Sequence, residues 1–382
     1  MNEPVIVQAL RTPLGKRNGA LASIHPADLS AVVLRALVDT TGIDPGIVDD
    51  VVWGCVSQTG EQTFNIARTA VLSAGWPESV PGVTVDRQCG SSQQAVHFAI
   101  AGVAAGHYDV VVAGGVESMS RIPMFSAVSD DSFPLGHAYA ERYGSAFPSQ
   151  GLGAEAIAAE LRISRGELDE FSLESHRRAT AAWDTGRFAK QVVPVVLPDG
   201  SVLATDEGMR RDTTLAALEK LSPAFVDHGV VTAGNASQIS DGAAGLLIMS
   251  RERARQLGLT PLARVAHVAL AGTAPMPMLE APVPATHKVL AKSGLRIEDV
   301  GAAEVNEAFA AVPLAWQREF QIPETSLNPL GGAIALGHPL GASGARIMTT
   351  LVHHLRDTQA RWGLQTMCEA GGLANATLLE AL

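Results

Sequence analysis

Cysteine and positive charge are both scarce in this chain of 382 residues, and no apolar run approaches the length of a membrane span. The three cysteines, Cys55, Cys89 and Cys368, contain no C-x-x-C pair. So odd and sparse a set points to free thiols in a reducing compartment and not to a disulfide framework. A zinc site built from Cys89, Cys368 and His338 is possible in donor type, but none of the spacings is metal-like, so no metal is expected. Lys and Arg number 28 against 39 Asp and Glu, a net charge of −11. That balance argues against a nucleic-acid partner and leaves any anionic ligand dependent on local basic residues. The opening MNEPVIVQALRTPLGK reads as a short strand without the apolar stretch of a signal peptide, and the final LLEAL is not a Ser-Lys-Leu address. The expectation is a cytoplasmic protein with no membrane partner.

What is abundant is Ala, Val and Gly. The chain is 47% hydrophobic and 18% charged. Near-continuous apolar runs such as Val51 to Trp53 and Asp109 to Gly115 suit strands buried on both faces, as in an α/β protein with parallel strands. The order of elements repeats. A helical pattern from Pro26 to Thr41 leads through GIDPGIVDD to VVWGCV; another from Pro284 to Ser293 leads through GLRIEDVGA to AEVNEAF. VTVDRQCGSSQQAVHFAIAGVAAG followed by DVVVAGG is paralleled by LNPLGGAIALGHPLGASGARIMTTLVHHL followed by GLQTMCEAGG. Duplicated α/β halves pack face to face, and catalytic loops then come from matching ends of both. Between the halves, Arg121 to Gln150 has poor periodicity and holds Phe125, Phe133, Tyr139, Tyr143 and Phe147, with two of the three tyrosines. Such segments serve as binding loops or as oligomer-contact arms. Helical patterns over Ala154 to Leu161 and Arg165 to Gly186 and a PDGSV hairpin signal follow. The expected division is an N-terminal half at 1–117 completed by 242–260, an inserted loop domain at 118–241, and a C-terminal half at 261–382.

Two stretches carry chemistry. From Gly331 to Gly344 five glycines surround one histidine, His338, followed by Pro339. A turn needs one or two glycines; five around an imidazole point to a proton carrier on a constrained loop. Cys89, in DRQCGSSQQAVHFAIAGV, falls between a β-like VTV and an apolar helix. At a helix N-terminus, free N–H groups and the macrodipole favour an anion, so the thiol pKa is expected to fall toward neutrality and Cys89 to act as a nucleophile. Cys55, within a strand, reads as a buried structural cysteine. Cys368 ends the apolar run LQTMC at a strand end. Asn306 opens VNEAFA, where it reads equally well as a helix N-cap.

DRQCGSSQQA, TAGNASQISDGAA, VNEAFA, GGAIALGHPLGASGAR and the final Cys-Glu-Ala-Gly-Gly stand in the order of the thiolases, the acetyl-CoA acetyltransferases and 3-ketoacyl-CoA thiolases. The resemblance runs from Arg11 to the C-terminus. It implies the thiolase fold, with duplicated αβαβα halves and an inserted loop domain, usually assembled as a homodimer or homotetramer. It implies CoA-dependent cleavage of 3-ketoacyl-CoA to acetyl-CoA and a shortened acyl-CoA, the reverse of a Claisen condensation, with coenzyme A as substrate and no cofactor. Cys89 then holds the acyl group, His338 takes its proton and shares an oxyanion hole with a water fixed by Asn306, and Cys368 moves the α-proton of acetyl-CoA. The N–H groups of Cys89 and Ala370 form the second oxyanion hole. Ser237 and Met278 match residues along the pantetheine arm and acyl pocket, and Arg210 a basic residue near the CoA nucleotide.

Three departures stand out. Ala370 replaces a glycine of C-x-G-G-G, at a cost of about 1 kcal/mol if that position needs φ > 0. Ser149-Gln150 stands where short-chain members carry His-Met, so the acyl wall is altered. The elbow carries Gln88 and Ser92-Gln93-Gln94, a pattern similar to thiolases of fatty-acid and sterol catabolism. The alternatives are a decarboxylating condensing enzyme, a non-catalytic subunit on the same fold, and a Cys-His hydrolase.

Overall fold

The computed structural model describes residues 2–128 and 134–382, so Phe133 lies outside the described residues. The first half contains β1 (Pro4–Arg11), β2 (Gly15–Lys16), α1 (Pro26–Thr41), β3 (Asp50–Gly54), α2 (Ile66–Ser73), β4 (Val83–Val85), α3 (Ser91–Ala105) and β5 (Val110–Ser118). The intervening region has α4 (His137–Tyr143), α5 (Gln150–Glu160), α6 (Arg165–Asp184), the small hairpin β6 (Val195–Val196) and β7 (Val202–Leu203), and α7 (Leu215–Leu218). The chain then forms β8 (Ser240–Ser250), α8 (Arg251–Gln256), β9 (Ala263–Gly272), α9 (Pro282–Ser293), β10 (Ala302–Val305), α10 (Ala311–Phe320), α11 (Ala333–Leu336), α12 (Ser343–Thr358), β11 (Trp362–Glu369) and β12 (Leu373–Ala381). The short α4 interrupts the stretch expected to be irregular; seven residues give too little periodicity to be read from sequence.

The strands form one sheet in the order β10-β11-β12-β9-β1-β8-β5-β3-β4, with β2 beside β8. Its two wings repeat each other. β1-β8-β5 are successively antiparallel, β3 is parallel to β5, and β4 is parallel to β3. On the other side β9-β12-β11 are antiparallel, β10 is parallel to β11, and a parallel bridge from Ala303 to Leu327 stands where β4 does. The duplication is therefore one of strand order and direction.

Burial follows from this repeat. β5 and β8 are buried along their whole length. Val112, Val116, Leu247 and Met249 point into a core with Leu34 and Leu37 of α1, while Val111, Ala113, Leu246 and Ile248 point to the opposite face. That second core contains Ala95, Val96 and Ala99 of α3 together with Ala345, Met348 and Leu351 of α12. α9 and α10 cover the far side of the second wing. α3 and α12 thus form a middle layer shared by both halves, and the loops at their N-termini meet.

They meet backbone to backbone. A Cβ on Gly344 would stand 2.4 Å from the Gln93 amide nitrogen, and one on Gly341 would stand 2.7 Å from Cys55 Cα and from the Val116 carbonyl oxygen. Ala345 N–H donates to Ser92 Oγ at 2.9 Å across the same contact. Glycine is required here by proximity. The Gly344→Ala variant is expected to lose roughly 1–3 kcal/mol or more of stability, because the obstruction is backbone and cannot swing aside. Thermal unfolding at fixed protein concentration checks this; an unchanged midpoint would show that the layers can separate.

Candidate active site

The Cys89 elbow is built by local hydrogen bonds. Asp86 Oδ1 accepts from Gln88 N–H at 2.7 Å, and Ser91 Oγ accepts from Arg87 N–H at 2.9 Å while donating to the Gln88 carbonyl at 2.5 Å. Gln88 takes φ 48°, the left-handed conformation that non-glycine residues avoid. The turn sets Cys89 just before Gly90, the N-cap of α3. Cys89 packs there against Met119, Leu340, Ile347 and Met367, so it is buried and not on an exposed elbow.

That burial overturns the expected pKa. The Cys89 thiol is pushed up to about 12, first by loss of solvent and then by the nearby Glu369 carboxyl; the N–H groups of Cys89 and Ala370, which point at the sulfur, pull the other way. The helix terminus contributes donors, but desolvation of a thiolate outweighs them. The resting Cys89 is a thiol, and any reaction as a nucleophile needs a base.

His338 follows Gly337, whose φ of 121° brings the chain in beside Ser240, and its N–H donates to Ser240 Oγ at 3.1 Å. Its Nδ1 lies 2.6 Å from Ser343 Oγ, and that hydroxyl donates to the Pro339 carbonyl at 2.8 Å. A hydroxyl has one proton, so Nδ1 must donate to Ser343 and Nε2 keeps its lone pair. Burial, reinforced by Arg346, lowers the imidazole pKa to about 3. His338 is therefore neutral with Nε2 as an acceptor, as a general base requires.

Asn306 Nδ2 lies 3.4 Å from His338 Nε2, a long contact. Its Oδ1 is buried with no protein partner, the arrangement that an ordered water or a ligand donor fills. Asn306 is not an N-cap, because α10 starts at Ala311 and is capped by Ala310. Cys368 is buried near the end of β11; burial first, and then the nearby Cys89, drive its pKa well above the ordinary thiol range. The left-handed residues of the following turn are Gly371 (φ 82°) and Gly372 (φ 78°), and Ala370 is not among them. The alanine fits the turn.

Glu117 was missed in the sequence. At the end of β5 it is buried and accepts four hydrogen bonds: Val56 N–H at 2.9 Å, Ser57 N–H at 3.0 Å, Gln62 Nε2 at 2.7 Å and Gly341 N–H at 2.8 Å. It fixes the His338 loop to the first half. Cys55 lies beside it, buried and with its thiol pKa raised by desolvation, in keeping with a structural cysteine. Gln93 and Gln94 turn away from the site to β12, where Gln93 Nε2 donates to Thr377 Oγ1 at 2.7 Å and Asn375 Nδ2 donates to Gln94 Oε1 at 3.3 Å.

Among the substrate-side residues, Ser237 N–H donates to the Ala308 carbonyl at 2.9 Å, joining its loop to the segment just after Asn306. Met278 is buried at φ 27°. Gln150 begins α5, half-buried, and Arg210 is exposed with its N–H donating to His176 Nδ1 at 3.1 Å. Phe225 packs over Gly151, where a Cβ would stand 2.1 Å from its ring, and meets Phe309 edge-on at 5.9 Å between centroids. Among the described residues no group of three or more His, Cys, Asp or Glu is placed to hold a metal ion, and no helix is long and apolar enough to cross a membrane.

The thiolase N-terminal domain family matches residues 4–252 and the thiolase C-terminal domain family residues 259–381. This chain belongs to the thiolase family. The thiolase is 47% identical to a steroid 3-ketoacyl-CoA thiolase of Mycobacterium tuberculosis, over 100% of this chain and 95% of the relative. It is 43% identical to a 3-oxoadipyl-CoA/3-oxo-5,6-dehydrosuberyl-CoA thiolase of Escherichia coli, with 100% of both chains covered. Among solved structures, the Bacillus anthracis acetyl-CoA acetyltransferase matches with a TM-score of 0.92 at 37% identity, covering 100% of this chain and 99% of the other.

Ser343→Ala is expected to lower kcat of the thiolase by roughly 10–100-fold, since the imidazole can then adopt the tautomer that protonates Nε2. Ser343→Thr, which keeps the hydroxyl, should recover most of the loss. Steady-state kinetics on the two purified variants measure both; an alanine variant with full kcat would remove Ser343 from the mechanism.

Proposed function

We propose that this thiolase catalyses CoA-dependent cleavage of 3-ketoacyl-CoA through an acyl-enzyme on Cys89. The observation that carries the reading is the packing of Cys89 against Leu340 of the His338 loop, with the Cys89 and Ala370 N–H groups acting on its sulfur and a His338 tautomer that leaves Nε2 as an acceptor. Cys89 gives its proton to His338 Nε2 as the sulfur attacks the 3-keto carbon, with the oxygen held by the Cys89 and Ala370 amides. The C–C bond breaks, and the enolate oxygen of acetyl-CoA is held by His338 and by a water on Asn306. Cys368 protonates the enolate carbon, and acetyl-CoA leaves. Incoming CoA thiol returns a proton to the Cys368 thiolate and attacks the acyl group; Cys89 leaves and recovers its proton from His338. Protons and bonds balance over the cycle, and the kinetics are ping-pong.

Ser237 and Met278 serve the pantetheine arm and acyl pocket in this reading, and Arg210 the CoA nucleotide. The acyl wall is formed by Gln150, Gly151 and Phe225. Its half-exposed aromatic and Gln150, where short-chain members carry methionine, support bulky acyl groups in preference to acetoacetyl. The relative named for steroid substrates supports the same choice. The edge strand β4, with Val83 half-exposed and the fully projecting Phe64 nearby, supports self-association into a homodimer or homotetramer. Two reduced thiols in the cycle support a cytoplasmic setting, and the division into two halves and a loop domain is part of the same reading.

The test is CoA-dependent cleavage of a 3-ketoacyl-CoA series, from acetoacetyl to long-chain and ring-bearing groups, beside Cys89→Ala. Wild type is expected to cleave, with the larger substrates best, and Cys89→Ala to lose at least about three orders of magnitude in kcat. Turnover on no substrate would favour a non-catalytic subunit. Gln150→Met is expected to shift kcat/KM toward short acyl groups; an unchanged ranking would take Gln150 out of the wall.

A further inference from the structure

Glu369 follows Cys368 on β11, acts electrostatically on both cysteines and has no step in the mechanism above. On β11 it shares a face with Gln365 and Met367, and Met367 packs with Cys89. Its carboxyl presses on Gly90, the residue after the nucleophile: a Cβ there would stand 1.8 Å from Glu369 Oε1 and 2.5 Å from Cδ. The side chain is wholly buried, and among the described residues its oxygens have no hydrogen-bond partner beyond the influence of the Asn375 backbone N–H. The one cation facing it is Arg87 of the elbow, whose Nε is also buried without a partner and which makes no ion pair with it. The other groups around it are Asp86 and Cys89 on the elbow, Cys368 on its own strand and the Asn375 backbone N–H from β12.

A buried carboxyl with so few donors is stable as the neutral acid and expensive as an anion. Its contact with Gly90 means that whichever form it takes is felt one residue away, at the Cys89 sulfur. We propose that Glu369 is a positioning residue that sets the electrostatics of Cys89: as the neutral acid it permits transfer of the thiol proton to His338, and as the carboxylate it opposes that transfer. The proposal rests on Cys89 being the nucleophile. Arg87 tunes the changeover by favouring the carboxylate, while Asp86 opposes it.

The sign follows from the groups named. Burial raises the Glu369 pKa to about 8, with Arg87 pulling down. Below that pH the acid is neutral and the enzyme competent; above it a negative charge develops beside Cys89, holding its proton more tightly. Glu369→Gln remains neutral throughout. Arg87→Gln removes the cation, so Glu369 ionises at higher pH.

The experiment is a pair of pH profiles, from 6.5 to about 10, on wild type, Glu369→Gln and Arg87→Gln. One is kcat/KM for a 3-ketoacyl-CoA, each enzyme scaled to its own maximum; the other is the rate at which iodoacetamide alkylates Cys89, followed by mass spectrometry of its peptide. Substrate ionisations are common to all three proteins, so differences between profiles isolate Glu369. Wild-type kcat/KM is expected to fall up to tenfold per pH unit above about 8. Glu369→Gln should retain activity several-fold longer, with Cys89 alkylating several-fold faster at pH 9 than in wild type, and Arg87→Gln should move the limb upward. Superimposable profiles for wild type and Glu369→Gln overturn the proposal. Absence of turnover in wild type, with alkylation still dependent on Glu369, would instead overturn the thiolase reading and leave the electrostatic coupling standing.

Discussion

The Gly341 amide donating to Glu117 Oε2 at 2.8 Å is the bond on which the site's geometry depends. Glu117 closes the first half and Gly341 lies on the His338 loop of the second. The same carboxyl holds the Val56 and Ser57 amides, so one buried side chain sets the distance between the β3 end, the β5 end and the imidazole loop. Burying it is costly, and four donors offset the cost. Around it the glycines allow backbone to touch backbone, which leaves no soft side-chain layer through which the halves could slide. Cys89 from one half and His338 from the other, the nucleophile and base of the proposed cycle, are thereby held as if on a single rigid element.

Much of this was legible in the chain. The repeat of helix, turn and strand is real because β1-β8-β5-β3-β4 and β9-β12-β11-β10 share order and direction. α1 starts and stops where its periodicity does, with proline at its first turn and Gly42 in the left-handed cap. Cys89, His338, Cys368 and Asn306 were readable because each sits at a strand or helix end beside a glycine or a run of polar residues. What sequence reading misjudged was environment. Polar neighbours of Cys89 suggested exposure, yet Gln88 and Asp86 bond locally within the turn while the sulfur points inward. Gln93 and Gln94, part of an elbow pattern similar to degradative thiolases, are cross-links to β12. Glu117 and Ser343 gave no signal, because a glutamate at a strand end and a serine before a glycine acquire meaning only when the other half arrives.

The electrostatic state of the site is also a product of assembly. Desolvation drives the two reacting groups apart on the pH scale, the thiol up to about 12 and the imidazole down to about 3. At neutral pH both are uncharged, so the resting site holds no thiolate–imidazolium pair open to solvent. Charge develops only as the sulfur meets an electrophilic carbon, where amide dipoles already point at it.

The packing of Phe225 on Gly151 has a consequence for how such an enzyme can diversify. The reacting groups are held by amides and glycines, whose replacement disturbs the fold, whereas this outer wall is held by one ring lying on a bare helix turn and leaning on Phe309. In the proposed reading, a substitution at that ring or at Gln150 alters the shape offered to the acyl chain without touching a bond that orients Cys89 or His338. Chemistry and selectivity are thus mutable at different rates, and new substrates can be acquired by drift in the wall while the catalyst stays fixed.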